Sequence, residues 1–209
     1  MNSHLIIALV GLCYIVVFGG LSFIRREGLS VQFALEVLGI TTLVEAGALL
    51  TRTTVNPVLF LAVTYLLSMR GRLVVDLANL LSGRGRQRNA ISLLQFALRL
   101  FPDQSTRLVI LVNMGIVQLR RQNPASAQTL LESVLDEEAK GKLGIKYEAA
   151  CHYNLGLALM RQGKNAWAVH QFNETISVFP SSIYGRAADK ALEQHRREHG
   201  SSEDELSTK

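Results

Sequence analysis

The stretch from Ala149 to Pro180 constrains this chain most, because it can be read as two short helices folded against each other. Leucines recur at helical spacing through its first half, and a second apolar series that begins at Trp167 follows Gly163. Gly156 lies inside the first of these helices, where a glycine costs about 1 kcal/mol relative to alanine. Close approach of the two backbones would offset that cost, so the stretch predicts a tightly packed helical hairpin.

Small, aromatic and turn residues at fixed offsets in this hairpin resemble the tetratricopeptide repeat (TPR), a family of helix–turn–helix units of about 34 residues. The residues that carry the resemblance are Asn154, Leu155, Gly156, Gly163, Ala168, Phe172 and Pro180. His152 and Thr175 depart from the pattern, because the family often has tryptophan and alanine there. The resemblance implies stacked hairpins that line a concave, protein-binding groove.

The same offsets recur in two earlier stretches of the chain. Matching positions are occupied by Ala78, Ala90 and Pro102 in the first stretch and by Gly115 and Ala127 in the second. The predicted repeat domain, residues 70–199, comprises repeats at 71–104, 108–141 and 149–182 and a capping helix at 183–199. The polar tail, residues 200–209, is predicted to be disordered.

Residues 1–69 are predicted to form a membrane domain. The run 5–24 is uncharged and has the length of about 20 residues that a helix needs to cross a bilayer. A signal peptide is disfavoured, because no basic residue precedes the run and no small-residue cleavage site follows it. Apolar runs at 29–50 and 55–69 predict two further spans, the last of them short. The predicted fold is therefore all-α, with transmembrane helices followed by a short TPR-like α-solenoid.

Two carboxylates, Glu36 and Glu45, interrupt the second apolar run. A carboxylate at mid-depth in hydrocarbon costs at least about 2.5 kcal/mol, so each must face other helices or lie near an interface. One interpretation is a proton or cation site, and the other is a neutral, hydrogen-bonded acid or a partly interfacial helix. No basic residue within this run offers a partner.

Five arginines follow the third run closely: Arg70, Arg72, Arg84, Arg86 and Arg88. Together with Arg25 and Arg26 after the first run, they predict an amino terminus outside and repeats in the cytoplasm, at a bacterial cytoplasmic membrane. Two spans would place the repeats on the other side, against this rule. We expect the cluster to face anionic lipid rather than nucleic acid, because no aromatic residues interleave with it. No proline separates the third run from the first repeat, so near-continuity of the two helices is predicted.

No enzymatic chemistry is predicted. The pentapeptide from His195 to His199 fits an H-x-x-E-H zinc pattern, but it lies at an exposed helix end and no third ligand is evident. Cys13 and Cys151 belong to no CxxC pair, and no phosphate-binding loop follows a strand pattern. We therefore predict no catalytic residue, no metal and no cofactor.

The TPR resemblance places the partner-facing groove on the first helices of the second and third repeats. The implied groove residues are Val112, Ile116, Leu119, Arg120, Tyr153, Leu157, Met160 and Arg161. Most of them are apolar, which suits an amphipathic helix or a hydrophobic peptide. The alternative is that the capping helix or the membrane segments of the chain itself fill this groove.

The predicted function is that of a non-catalytic, membrane-anchored adaptor or scaffold that binds protein partners in this groove. The alternative is an accessory or assembly subunit of a larger integral membrane complex, bound mainly through its transmembrane helices.

Overall fold

Ten helices account for all of the regular secondary structure in the residues that the structure describes, which confirms the all-α prediction. This computed structural model describes the backbone of residues 3–24, 30–138 and 143–207, and side chains there except at 3, 4, 22, 23, 138 and 198–207. The helices are α1 Ser3–Ile24, α2 Val31–Thr51, α3 Pro57–Ser68, α4 Arg70–Gly83, α5 Gln87–Arg99, α6 Gln104–Arg120, α7 Pro124–Glu138, α8 Ile145–Met160, α9 Asn165–Val178 and α10 Ile183–Ser207.

The first three helices pack on one another and leave large apolar side chains on their outer faces. Leu43 is 77% exposed, Leu50 86% and Val58 76%. The α3 helix begins at Pro57, because the Asn56 side-chain oxygen accepts the Val58 amide at 2.9 Å and proline is favoured in a first turn. These helices are therefore apolar both inside and outside their bundle.

One described helix, α2, is long and apolar enough to cross a membrane, and α3 and α4 taken together as one broken span would make a second. Only 11% of the apolar window of α2 is buried. The described apolar stretch of α1, Leu5–Leu21, is shorter than such a span.

A sharp bend separates α3 from α4, so the near-continuity expected from the sequence is wrong. The two helix axes differ in direction by 66°. Met69, between them, has φ −97° and ψ 8°, outside the helical region. Gly71 follows in a crowded place, where an added Cβ would lie 2.8 Å from Thr106 Cγ2. The close approach to α6 requires glycine at this point.

Three helical hairpins, α4–α5, α6–α7 and α8–α9, share one turn. Each turn contains a residue in the left-handed region, with φ of 78° at Gly85, 60° at Gln122 and 74° at Gly163. In each case the amide of the next residue donates a hydrogen bond of 3.0 Å to the carbonyl five residues earlier: Arg86 to Leu81, Asn123 to Gln118 and Lys164 to Leu159. Such a bond satisfies an otherwise unpaired carbonyl at the end of the first helix.

Small residues in the first helix of each hairpin are accompanied by large ones at a fixed offset in the second. The pairs at equivalent positions are Ala78 and Leu94, Gly115 and Leu131, and Gly156 and Phe172, all buried. A Cβ at Gly115 would lie 2.8 Å from Leu131 Cδ2, and one at Gly156 would lie 2.7 Å from Phe172 Cε1. These contacts supply the packing reason that the sequence required for a glycine within a helix.

Two further positions of the second helices are buried in all three hairpins. Ala90, Ala127 and Ala168 occupy one, and Ala97, Val134 and Thr175 occupy the other; all six are 0% exposed. The Thr175 hydroxyl donates to the Gln171 carbonyl at 2.9 Å, so its departure from alanine leaves no unsatisfied donor. Between hairpins, Pro102 is half-buried and Pro180 exposed.

The last helix, α10, packs on α8 and α9. Its start is capped by Ser182, whose hydroxyl accepts the Gly185 amide at 2.9 Å. The helix continues to Ser207, past the predicted end of the capping helix and through a tail for which the sequence predicts disorder. Gly200 disfavours a helix by about 1 kcal/mol but does not terminate this one.

The chain divides into two compact units, Met1–Ile110 and Leu111–Lys209. The sequence instead predicts a domain boundary between residues 69 and 70. The first unit contains α1 to α5 and the start of α6, and the second contains the rest of α6 and α7 to α10. Arg25, Arg26 and part of the connection between the second and third predicted repeats lie outside the described residues.

We expect Gly156→Ala to lower the free energy of unfolding by about 1–3 kcal/mol, because its methyl group meets a fully buried phenyl ring. Phe172→Leu in the same chain should recover part of this loss, since the equivalent positions of the first hairpin hold a buried alanine, Ala78, and a buried leucine, Leu94. Thermal unfolding of the detergent-solubilised protein, followed by circular dichroism, measures both effects.

The matched control is Gly83→Ala at the end of α4, where nothing lies within 4 Å of the added methyl group. This substitution should be neutral or stabilising by up to about 1 kcal/mol. Equal effects at Gly83 and Gly156 would contradict the packing argument.

Candidate functional site

The predicted groove residues lie on α6 and α8, and the structure gives them different environments. Val112 is fully buried and Leu119 is 4% exposed. Ile116, Tyr153, Leu157 and Met160 are half-buried, whereas Arg120 and Arg161 are exposed. The predicted set therefore contains both core residues and surface residues.

Val112 and Leu119 do not line an open groove, which corrects their assignment from the resemblance. Leu119 belongs to a core cluster with Ala127 of α7 and Ala158 of α8, and Leu157 packs against that cluster. The small side chains of these alanines let α7 and α8 close around the end of α6. Leucine at this point stabilises the hairpins and is not available to a partner.

Tyr153 contacts the last helix of the chain. Its ring centroid lies 5.9 Å from that of Phe172 and 5.8 Å from that of Tyr184, which belongs to α10. Burial raises the pKa of the Tyr153 phenol, and burial is also the main cause of a raised pKa at Tyr184, which Arg120 opposes. The capping helix therefore covers the groove at Tyr153, in line with the self-filling alternative.

Arg161 has a structural contact at the end of α6. Its Nη1 donates to the Leu119 carbonyl at 2.7 Å, which satisfies one of the last carbonyls of that helix. Next to it, Gln162 Nε2 donates to Gln128 Oε1 at 2.9 Å, and Lys164 Nζ donates to the same oxygen at 3.0 Å. Polar contacts thus join the second and third hairpins at their turns.

Among the predicted groove residues, Ile116 and Met160 are half-buried and retain accessible surface, and Arg120 is exposed. Two are apolar and one is basic. Such a surface suits the apolar face of an amphipathic segment.

A cluster of charged and polar groups in the first unit joins the apolar helices to the first hairpin. Its centre is Arg70, whose Nη1 and Nη2 donate to the two carboxylate oxygens of Glu36 at 2.8 and 2.9 Å. The two side chains are 31% and 28% exposed. Paired hydrogen bonds of this geometry between guanidinium and carboxylate are among the stronger polar contacts in proteins.

Backbone carbonyls complete this Arg70 cluster. The guanidinium also donates to the carbonyls of Leu67 at 2.8 Å, Leu100 at 3.0 Å and Phe101 at 3.4 Å. Gln32 Nε2 donates to the Phe101 carbonyl at 2.9 Å and to Glu36 at 3.2 Å. The cluster therefore connects the start of α2, the end of α3 and the end of α5.

Sequence reasoning missed this cluster. It grouped Arg70 with the lipid-facing arginines and found no basic partner for Glu36 within the apolar run. The structure supplies that partner, Arg70, from outside the run. The ion pair offsets the desolvation cost of Glu36, so Glu36 needs no bound proton or cation. The only available signal was one carboxylate early in an apolar run and one arginine at the end of the next. Glu45, farther along α2, is half-buried.

The other four arginines of the basic cluster are placed differently from Arg70. Arg84, Arg86 and Arg88 are exposed around the turn between α4 and α5, whereas Arg72 is half-buried. Within the described part of the chain, no carboxylate pairs with Arg84, Arg86 or Arg88. These three side chains are available to an external anion.

Among the described side chains, no group of three or more histidine, cysteine or acidic residues is arranged to hold a metal ion. The side chain of His199, the second histidine of the H-x-x-E-H pattern, lies outside the described residues. His152 Nδ1 lies 2.7 Å from Gln171 Oε1, and the Cys151 thiol donates to the Leu131 carbonyl at 3.4 Å. Both contacts join neighbouring helices within the second unit.

The sequence matches no protein-family model, and no curated protein matches it.

We expect Arg70→Lys to lower the free energy of unfolding by about 1–3 kcal/mol, because an ammonium group cannot bridge two carboxylate oxygens and three carbonyls. Arg88→Lys, at an exposed site, should change it by less than about 0.5 kcal/mol. Thermal unfolding in detergent measures both variants.

Glu36→Gln completes a double-mutant cycle with Arg70→Met, because lysine at position 70 would keep a charge beside the carboxylate. Because the two side chains contact each other directly, the cycle should give a coupling energy of about 1 kcal/mol or more. Additive losses would show that the ion pair adds nothing beyond its separate side chains.

Proposed function

We propose that this protein is a membrane-anchored adaptor of the TPR type, in which α1 to α3 hold the chain in a bacterial cytoplasmic membrane and the hairpins bind protein partners in the cytoplasm. One observation carries the proposal: the same left-handed turn and the same pattern of small and large buried residues recur in three consecutive hairpins. Stacked hairpins of this kind are a common scaffold for protein recognition.

The apolar outer surface of the first helices supports membrane anchoring. Leucines and valines on α1 to α3 are exposed along their whole length, and Leu43, in the middle of α2, is 77% exposed. Soluble monomers rarely expose contiguous apolar surface on this scale. Three spans with the amino terminus outside also place the exposed arginines of the α4–α5 turn on the cytoplasmic side.

The partner surface that we propose is centred on Ile116, Met160 and Arg120. Its apolar character favours an amphipathic helix or a hydrophobic peptide. The proposed adaptor is non-catalytic, and its function requires no cofactor, metal or nucleic acid.

An accessory subunit of a larger membrane complex is the alternative, and the glycines of the first helices favour it. Gly20, Gly39 and Gly47 have nothing within 4 Å of an added Cβ, so the backbone is open there. Helices in membranes associate through such small residues. In this version the transmembrane helices select the partner and the hairpins only support them. Glu36 has no part in that selection, because it binds Arg70.

The proposed topology predicts the labelling of single cysteines introduced into a Cys13→Ser, Cys151→Ala background. In intact cells, a membrane-impermeant maleimide should modify Thr53→Cys, in the exposed turn before α3, but not Trp167→Cys on α9. Trp167 is 66% exposed, so labelling there should appear once the membrane is opened. Labelling of Trp167→Cys in intact cells would rule out cytoplasmic hairpins.

The adaptor proposal predicts which surface captures partners from solubilised membranes. Met160→Glu should reduce recovery of the main co-purifying protein by roughly tenfold or more, as for a central interface residue. Asn173→Glu, on an exposed face of α9, is the control and should recover as much as the unaltered protein.

The same capture experiment separates the alternative. If Gly39→Leu abolishes recovery while Met160→Glu leaves it intact, the transmembrane helices select the partner and the adaptor proposal fails.

A further inference from the structure

The first helix of the first hairpin, α4, is apolar on two opposite sides. One side, formed by Gly71, Val75, Ala78 and Ser82, is buried within the chain. Leu73, Leu77 and Leu80 form an exposed row on the other, and are 37%, 49% and 49% exposed. At 3.6 residues per turn this leucine row lies opposite the buried side. A helix that is apolar on two sides is expected to contact apolar groups on both, so the leucine row should also face an apolar environment.

The equivalent rows of the later hairpins are packing surfaces. In α6 the row comprises Ile110, Met114 and Val117, and in α8 it comprises Cys151, Leu155 and Ala158; all six are buried. In α8 the Cys151 thiol donates to a carbonyl of α7, so this side of the helix contacts the preceding hairpin. The first hairpin has no preceding hairpin, and its leucine row stays open.

The leucine row runs on from the side of α4 that faces the apolar helices. Arg70, at the start of α4, points to Glu36 of α2, and Leu77 follows it by two helical turns on nearly the same side. The row thus extends the apolar surface of α2 and α3 beyond the 66° bend. Because α3 is short for a full crossing, the bilayer would thin around it, and with α3 near the membrane normal the bend brings α4 towards the membrane plane.

The arginines that follow the leucine row indicate which apolar environment it faces. Arg84, Arg86 and Arg88 follow Leu80 directly and are exposed. A helix with an apolar side and adjacent arginines is typical of segments that lie in the interface of an anionic bilayer. A protein surface would need to match both the leucines and three arginines, whereas anionic lipid offers acyl chains and phosphates together.

We propose that α4 lies in the membrane–water interface, with its leucine row among the upper acyl chains of an anionic bilayer and Arg84, Arg86 and Arg88 at the lipid phosphates. This inference rests on the proposed membrane anchoring. It assigns the packing surface of the first hairpin to lipid. Partner binding is then left to the second and third hairpins.

The test uses single cysteines in the full-length Cys13→Ser, Cys151→Ala protein, each labelled with a small fluorophore and reconstituted into vesicles of phosphatidylcholine with phosphatidylglycerol. Leu77→Cys reports on the leucine row, and Asn79→Cys, exposed on another side of the same helix, is the matched control. Leu43→Cys in α2 reports on anchoring. Lipids that carry a nitroxide near the headgroup quench from the bilayer, and iodide quenches from water.

We expect the shallow nitroxide to quench the Leu77 label at least about threefold more than the Asn79 label, as for a helix side buried 5–10 Å into the interface. Iodide should show the reverse order. Arg84→Gln, Arg86→Gln and Arg88→Gln combined should remove the extra quenching that phosphatidylglycerol gives over phosphatidylcholine alone.

Equal iodide quenching at both positions would overturn the inference, because the leucine row would then face water. A Leu77 label shielded from both quenchers would also overturn it, since a protein surface would then cover the row. The Leu43 label keeps the two proposals apart: quenching at Leu43 without quenching at Leu77 rejects only the placement of α4, whereas no lipid quenching at Leu43 rejects the membrane anchor itself.

Discussion

The hydrogen bonds between Arg70 and Glu36 determine how the apolar helices are joined to the first hairpin. A carboxylate in an apolar helix and a guanidinium at a helix start would each be costly to desolvate alone. Together, and with three backbone carbonyls, they satisfy each other in a half-buried site. Leu67 lies in the last turn of α3 and Leu100 is the residue just after α5, where carbonyls have no partner within their own helix. One side chain therefore closes two helix ends and pairs with α2.

This contact explains why the first compact unit extends to Ile110 and does not end where the apolar composition ends. The bend at Met69 brings α4 under the end of α5, and Gly71 permits the close approach to Thr106. A flexible linker would have made the first hairpin independent of the apolar helices. The ion pair and the bend instead make it part of their unit.

The sequence predicted the hairpins well because their information is local. Gly156 and Phe172 are sixteen residues apart, and the turn between them depends on Gly163, so the pattern within one stretch specifies the contact. The turn at Gln122 was harder to find, because a non-glycine residue takes the left-handed conformation there. The small-to-large pair at Gly115 and Leu131 nevertheless kept the second hairpin recognisable.

The candidate site was less predictable, because it depends on how separate segments meet. Positions carried over from the resemblance assumed that one side of α6 is open, but α7 and α8 close over Leu119. Tyr153 was assigned to a partner and contacts Tyr184 of the last helix instead. The Arg70 pair joins residues 34 positions apart across a bend that no proline marks. No local pattern encodes such contacts.

The two ends of the hairpin series expose different kinds of residues, which indicates that their surroundings differ. Beyond α9, the last helix buries Ala188 and Leu192 and carries charged residues on its other side, as expected for an end that meets water. At the other end, α4 presents leucines where a water-facing terminal helix would carry polar residues. A leucine row is stable there only in contact with another apolar phase. The apolar helices that precede it in the same unit also expose apolar outer faces, so a bilayer would provide one environment that suits both surfaces.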